Sequence, residues 1–248
     1  QRGLRYILSK FVLSKTSRTK TTFNDTEFEP ANYWIVPRIR QRWNLLITGD
    51  INTSYESYVV KKYFSGRDNL SLLSLGSGIC SHEILFAKHA CFKNVVCVDF
   101  SDKILEKAKH DAQEQGLKNL QFESADVNTY HISPNSFDLI LFHSSLHHFK
   151  NIKQLLIKIK SGIKKDGLLV INEYVGPDRL QINRNQIKEI NRILKSEIPK
   201  SFRIRYQTNF YKSKISGPGK LRMIVTDPSE AVESSMIIPS IHELFDTV

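Results

Sequence analysis

The chain has 248 residues, 40% of them hydrophobic, with 36 Lys and Arg against 25 Asp and Glu. That apolar content excludes a disordered chain, and the length fits one domain with an elaboration, or two small ones. The longest apolar runs fall far short of the roughly 20 residues that a membrane-spanning helix needs.

In chain order, the first residue is Gln1 rather than methionine, so residues are expected to precede it; no secretory signal is visible. Residues 1 to 20 carry six basic side chains and no acid. Within them "LRYILSKFVL" (4 to 13) reads as a basic amphipathic helix that could dock on this protein, a partner or an anionic membrane surface. "YESYVVKKYF" (55 to 64) predicts a helix that stops at the turn-rich "SGRDN". Short apolar runs then alternate with helical patterns. "LSLLSL" (70 to 75), "NVVCVDF" (94 to 100), "LQFESA", "FDLILFH" (137 to 143) and "GLLVINEY" (167 to 174) predict strands. Between them "SHEILFAKHA" (81 to 90), "SDKILEKAKHDAQEQG" (101 to 116) and "IKQLLIKIKSGI" predict helices, with Ser81 and Ser101 as caps. Such alternation implies a parallel sheet covered on both faces, with ligands bound beyond the carboxyl ends of the strands.

After the fifth strand the character changes. Residues 174 to 222 hold twelve basic side chains against Asp178, Glu189 and Glu197, which leaves the rest of the chain, outside the first 20 residues, mildly acidic. Ile182, Ile187, Ile190, Ile193 and Leu194 recur at helical spacing, which predicts a basic lid over the strand ends. A helix is expected over 227 to 245, bent or broken at Pro239, and "FDTV" reads as the start of a sixth strand with further residues expected beyond it. The expected organisation is an N-terminal helical extension (1–67), a Rossmann-like core (68–175), a basic helical lid (176–226) and a return to the core (227–248). Cys80, Cys91 and Cys97 show no metal-type pairing, so reduced thiols, a cytoplasmic location and no metal are expected.

The chemistry sits in "LSLLSLGSGICSHEI" (71 to 85), where Gly76 and Gly78 follow the first strand and precede a helix. Bare glycines there let the backbone approach a ligand. Asp99 ends the next strand 21 residues after Gly78, a distance at which a carboxylate can accept from both hydroxyls of a ribose. "SADVNTY" puts Asp126 after the third strand, where it could accept from an adenine amino group. "FDLILFHSSLHHF" puts a histidine-rich loop after the fourth. In this order the set resembles the class I S-adenosylmethionine-dependent methyltransferases, over about residues 68 to 175. The resemblance implies S-adenosylmethionine as cofactor, with Gly76, Ser77 and Gly78 beside its methionine part. It implies Asp99, followed by Phe100, at the ribose, and Asp126 with Val127 at the adenine. Two positions depart from the pattern: many members carry an acid at the position of Ser74 and glycine at that of Cys80. The flanks "YWIVPRIRQRWNLLITGD" and "NEYVGPDRLQ" resemble a bacterial subgroup associated with small-molecule or glycan tailoring.

Methyl transfer to a hydroxyl benefits from a base. His143 and His147 are the expected candidates, with His148 behind them and Glu173 and Tyr174 orienting a histidine or the acceptor. Arg179, nearest in sequence to the fifth strand's end, is expected to hold an anionic acceptor: a phosphorylated or nucleotide-linked sugar, a carboxylate or a carrier-protein-bound substrate. Two other classes stay open: a nucleic-acid (RNA) methyltransferase gripping phosphates with the basic lid, and a non-catalytic cofactor-binding subunit. Against the first, an "NPPY"-type loop is absent.

Overall fold

The computed structural model describes residues 36–204 and 208–248; the helix expected at 4–13 lies outside them. Two helices come first, α1 (Pro37–Thr48) and α2 (Tyr55–Tyr63). Proline opens α1, where its missing N–H costs nothing, and Gly49 closes it in the left-handed region. Strands and helices then alternate: β1 (Leu70–Leu75), α3 (Ser81–Ala87), β2 (Phe92–Asp99), α4 (Asp102–Glu114), β3 (Leu120–Ser124), β4 (Phe137–His143), α5 (Ile152–Gly162) and β5 (Ile163–Asn172). Beyond β5 come α6 (Arg184–Ser196), α7 (Lys220–Thr226) and α8 (Ile237–Leu244).

The five strands lie in the order β3-β2-β1-β4-β5, and every pairing is parallel. This is a Rossmann-like, doubly wound sheet with helices on both faces. Its centre is buried from both sides because strand residues alternate between two cores. Leu72, Val95, Cys97, Leu139 and Leu141 face a core with Tyr55 and Val59 of α2, Phe86 of α3 and Ala108 of α4. Leu73, Leu75, Val96, Val98, Ile140 and Phe142 face the opposite core, with Leu156 and Ile159 of α5 and Ile237 of α8. That double burial is why β1, β2 and β4 read as near-continuous apolar runs.

Three elements depart from the sequence expectation. β5 begins at Ile163, directly after α5, and ends at Asn172, so Glu173 and Tyr174 lie in the turn beyond it. A register shift opposite Phe137 and Leu139 accommodates the extra residues. Gly167 belongs to that irregularity, since a Cβ there would stand 2.7 Å from Ile163 Cγ2 and 3.0 Å from two backbone carbonyls. The helix expected over 227 to 245 is a short 3-10 turn, Ser234–Met236, followed by α8. Pro239 sits in the first turn of α8, where a proline removes no helical hydrogen bond. "FDTV" is not a strand.

The amino ends of the strands are tied together by one buried carboxylate. Asp138, on β4, accepts from Arg67 Nη2 at 2.7 Å, the Ser71 amide at 2.9 Å and Lys164 Nζ at 2.8 Å. It thereby links the turn before β1, β1 itself and β5 to β4. Burial alone would raise its pKa, but Lys164, the Ser71 amide and Arg67 outweigh it and hold the carboxyl below its ordinary value. Its folded pKa is depressed, so its stabilisation is complete above about pH 4 and fades as pH falls through the folded value. Asp138→Ala should therefore lower stability by roughly 2–4 kcal/mol at neutral pH, because it strands two cations and an amide. Denaturant melts of both proteins at pH 7 and at pH 3 check this: the difference should shrink in acid, and a pH-independent difference would contradict it.

Candidate active site

The order of strands reverses between β1 and β4, and a cavity of about 970 Å³ opens beyond their carboxyl ends. That lies at the upper end of the range of roughly 300–1,000 Å³ for small-molecule pockets.

The loop after β1 forms the floor. Gly76 donates to Val98 O at 2.8 Å and has φ +71°. A Cβ there would stand 2.8 Å from Ser145 Cβ, so this glycine lets the loops after β1 and β4 cross. Gly78 is different: its φ is +53°, but a Cβ would meet nothing within 4 Å, so the open side belongs to the cavity. Its amide donates to Asp99 Oδ2 at 3.0 Å, while Asp99 Oδ1 accepts from the Ser101 amide at 2.9 Å. Asp99 is buried, and burial raises its pKa against those amides. Cys80 is itself left-handed at φ +54° and fully buried. Ser77 Oγ is buried without a hydrogen-bond partner, which marks it as an atom that a bound ligand would satisfy. Phe100, Asp126 and Val127 also line the cavity; Asp126 Oδ1 accepts from the Asn128 amide and side chain.

A second carboxylate lies where no sequence motif places one. Glu83, in the first turn of α3, accepts from Ser74 Oγ at 2.5 Å. Glu83 lines the cavity and is 2% exposed, and burial raises its pKa. A carboxylate desolvated in this way gains most from a cationic ligand.

The opposite wall is a stack of rings. His143, at the end of β4, lies face to face with His82 of α3, with centroids 3.4 Å apart and planes 22° apart. His143 Nδ1 is 2.9 Å from Tyr55 Oη, and His82 Nδ1 is 2.5 Å from Glu56 Oε1. Burial, with the neighbouring His82, pushes the pKa of His143 down to about 4, so it is neutral at physiological pH. Burial and the nearby Glu56 and Glu83 raise Tyr55, keeping its phenol protonated. Burial works to raise Glu56, yet the hydrogen bond with His82 prevails and its pKa is lowered. Sequence reasoning missed Tyr55, Glu56 and His82. They sit on α2 and α3, 26 residues separate Glu56 from His82, and no spacing rule links them.

The remaining expected residues divide. His148 lines the cavity and its Nδ1 is 3.2 Å from Ser229 Oγ. His147 does not line it: His147 is 8% exposed, with Nδ1 2.5 Å from Glu173 Oε1 and Nε2 3.4 Å from Glu230 Oε1. Burial alone would lower its pKa, but the two carboxylates raise it to about 9. Glu173 and Tyr174 are likewise outside the lining, where Asn172 stands instead. Tyr174 Oη donates to Pro177 O at 3.0 Å. Arg179 is not among the lining residues; it donates to Pro228 O at 2.8 Å and Glu230 O at 3.1 Å. Among the described residues, nothing from 174 to 222 lines the cavity, and the basic side chains that do, besides histidines, are Arg40 and Lys150. Arg192 pairs with Glu189 and Glu197 on the surface of α6.

Sheet order, glycine loop and strand-end acids define a nucleoside-binding Rossmann-like domain. Residues 67–215 match the family described as "Methyltransferase domain". That is more than half of the chain, which belongs to the class I S-adenosylmethionine-dependent methyltransferase family, and S-adenosylmethionine is the cofactor that membership implies. The uncharacterized methyltransferase YcgJ of Bacillus subtilis (strain 168) is 23% identical over 107 residues, 43% of this chain and 42% of that protein. The (S)-coclaurine N-methyltransferase of Thalictrum flavum subsp. glaucum is 32% identical over 105 residues, 42% of this chain and 29% of that protein. The chain thus spans less than half the length of either curated relative. A solved structure from Bacillus halodurans C-125, whose methyltransferase assignment is itself an inference, shares the fold at a TM-score of 0.50. It is 17% identical, with 77% of this chain and 68% of that one covered. The residues present fit such a cofactor: Ser77 offers a buried hydroxyl without a hydrogen-bond partner, Gly78 an open backbone, and Asp99 and Glu83 buried carboxylates.

The two glycines make separable predictions. Gly76→Ala should cost roughly 2–4 kcal/mol of stability through backbone strain and the clash with Ser145. Gly78→Ala should cost about 1–2 kcal/mol of strain and weaken cofactor binding. Urea unfolding and calorimetry with S-adenosylmethionine check both. Equal stability losses would refute the crossing-loop role of Gly76.

Proposed function

We propose that the chain transfers the methyl group of S-adenosylmethionine to a hydroxyl of a small-molecule acceptor, with His82 as base and Glu56 as its partner. The observation that carries this reading is the Glu56–His82 pair on the cavity wall, beside a neutral His143. When bound, S-adenosylmethionine supplies an activated methyl group on a cationic sulfur. The chain's own residues do the rest. Asp99 accepts from the ribose hydroxyls while it holds the glycine loop through the Gly78 amide. Asp126, Val127 and Phe100 enclose the adenine side. Glu83 faces the cationic methionine end. His82 Nε2 takes the acceptor's proton, and Glu56, fixed on Nδ1, stabilises the imidazolium that forms. His143, kept uncharged by burial and oriented by Tyr55, lets a charge appear on His82 without repulsion. This moves the base role from His143 and His147 to His82, which stacks on His143. His147 and Glu173 act in this reading by holding the loop after β4.

The acceptor reading leans towards a tailoring substrate, as the flanking segments suggest, and an anionic one would meet Arg40 and Lys150 at the rim rather than the basic segment after β5. Release of S-adenosylhomocysteine over a panel of phenols and sugars would identify an acceptor. With that acceptor, His82→Ala should lower turnover by roughly 10²-fold or more, and Glu56→Gln should lower it by less, with cofactor affinity retained in both. Turnover within about twofold of wild type in His82→Ala would contradict a base at that position.

Glu83 can be tested without any acceptor. Glu83→Gln should weaken S-adenosylhomocysteine, which keeps the amino group, by roughly tenfold or more. It should leave 5′-methylthioadenosine, which lacks the amino acid, unchanged. Equal losses for both ligands would contradict an ammonium partner.

A further inference from the structure

The cavity wall formed by the loop after β4 backs onto a cluster that the transfer chemistry does not use. His147, His148 and Glu230 each offer one ligand atom, and these atoms lie within 4.8 Å of one another. His147 Nε2 is 3.4 Å from Glu230 Oε1. Ligands about 2.0–2.1 Å from a tetrahedral centre stand roughly 3.3 Å apart, so this edge already has the length a metal would impose.

The surroundings match that geometry. Metal-binding histidines commonly give their second ring nitrogen to a carboxylate or other acceptor, which sets tautomer and orientation. His147 Nδ1 lies 2.5 Å from Glu173 Oε1, and the Glu173 side chain is fully buried. Amides of His147 and Tyr174 donate to the same carboxylate at 3.3 and 2.6 Å. His148 Nδ1 meets Ser229 Oγ at 3.2 Å, and that hydroxyl donates to Asp227 Oδ1 at 2.6 Å. Three carboxylates, Glu173, Glu230 and Asp227, thus surround two imidazoles. The nearby cation, Arg179, is fixed on the carbonyls of Pro228 and Glu230.

We propose that His147, His148 and Glu230 bind one divalent transition-metal ion of the zinc type. Two imidazoles and a carboxylate suit zinc, cobalt or iron, and not magnesium or calcium, which prefer oxygen ligands. Three protein ligands leave at least one coordination position for water or another group, as in zinc sites that do chemistry rather than only bind structure together. The site would clasp the returning segment at Glu230 to the loop after β4. His148 belongs both to it and to the cavity lining, together with Pro228 and Ser229. The cysteine count, from which the expectation of no metal came, is silent about a ligand set of this kind. The proposal does not depend on which residue is the base.

The competing arrangement is a plain ion pair in which protonated His147 bridges Glu173 and Glu230. Three measurements on the full chain separate them. Metal analysis of protein purified without chelator, or after dialysis against zinc chloride, should give about one zinc per chain. Cobalt(II) added to metal-free protein should produce visible absorption that saturates at one equivalent and is displaced by zinc. Zinc should raise the melting temperature while magnesium does not. Glu230→Gln and His148→Ala should each lose the cobalt spectrum, whereas Glu114→Gln, at an exposed cluster with His110 and Asp111 on α4, should keep it. Wild-type protein that takes up no zinc and shows no cobalt absorption would overturn the proposal. So would an unchanged spectrum in Glu230→Gln. Because the first two measurements use wild type, a variant that fails to fold leaves the decision intact.

Discussion

The site depends on one topological constraint: the chain winds outward in opposite directions from β1 and β4. Both strands are buried on both faces, so their crossover helices must cover opposite sides of the sheet. The loops leaving their carboxyl ends therefore part, and the gap between them cannot be closed by either helix. Gly76 and Ser145 meet at the base of that gap. Much of the lining is delivered by the sheet and its first crossover helix, Asp99 from β2, His143 from β4, Glu83 and His82 from α3, while α1, α2 and the returning segment at Pro228 and Ser229 add the rest. The Asp138 anchor at the other end of the strands holds the same sheet in register, so the two ends of β4 divide the work between stability and recognition.

The electrostatics of the cavity follow from burial. Asp99, Glu83 and Glu56 are each under 9% exposed. One is held by backbone amides, one by a serine hydroxyl and one by a histidine. His82 pairs directly with Glu56, while His148 and His82 act on Asp99 and Glu83 without a direct bond. Such a wall favours a ligand that brings positive charge with it, and S-adenosylmethionine carries positive charge on its sulfur and its amino group. The rings opposite behave differently: His143 is neutral, stacked and fixed, which leaves His82 as the imidazole with a carboxylate behind it. His147, although rich in partners, has both nitrogens engaged by Glu173 and Glu230, so its carboxylates hold it out of the cavity's chemistry.

Much of this was legible in the residues. The apolar runs at β1, β2 and β4 declare doubly buried strands, and the glycine pair and Asp99 do line the cavity. Cys80 takes a left-handed backbone, and Ser74 is bonded to Glu83 of the next helix. The remainder required three dimensions. Tyr55 and Glu56 lie before the core in sequence and reach His82 only because α2 packs on α3. The start of β5 depends on a register shift around Gly167 that no periodicity marks. The basic segment after β5 looked like a lid because amphipathic spacing predicts a helix, and α6 is one. Periodicity does not say where a helix sits, however, and α6 has no buried residue and does not line the cavity. Arg179, chosen for its nearness in sequence to Glu173, takes a left-handed backbone at φ +59° and turns to the carbonyls of the returning segment.

The central claim is that a cationic nucleoside cofactor lies across the β1–β4 gap, with its ribose at Asp99 and its amino acid end at Glu83. The most direct test is a crystal structure with S-adenosylhomocysteine. The account predicts ribose hydroxyls within hydrogen-bond distance of Asp99, a partner for Ser77 Oγ, and the ligand's amino group against Glu83. A ligand bound with its amino group away from Glu83, or with its ribose away from Asp99, would contradict it.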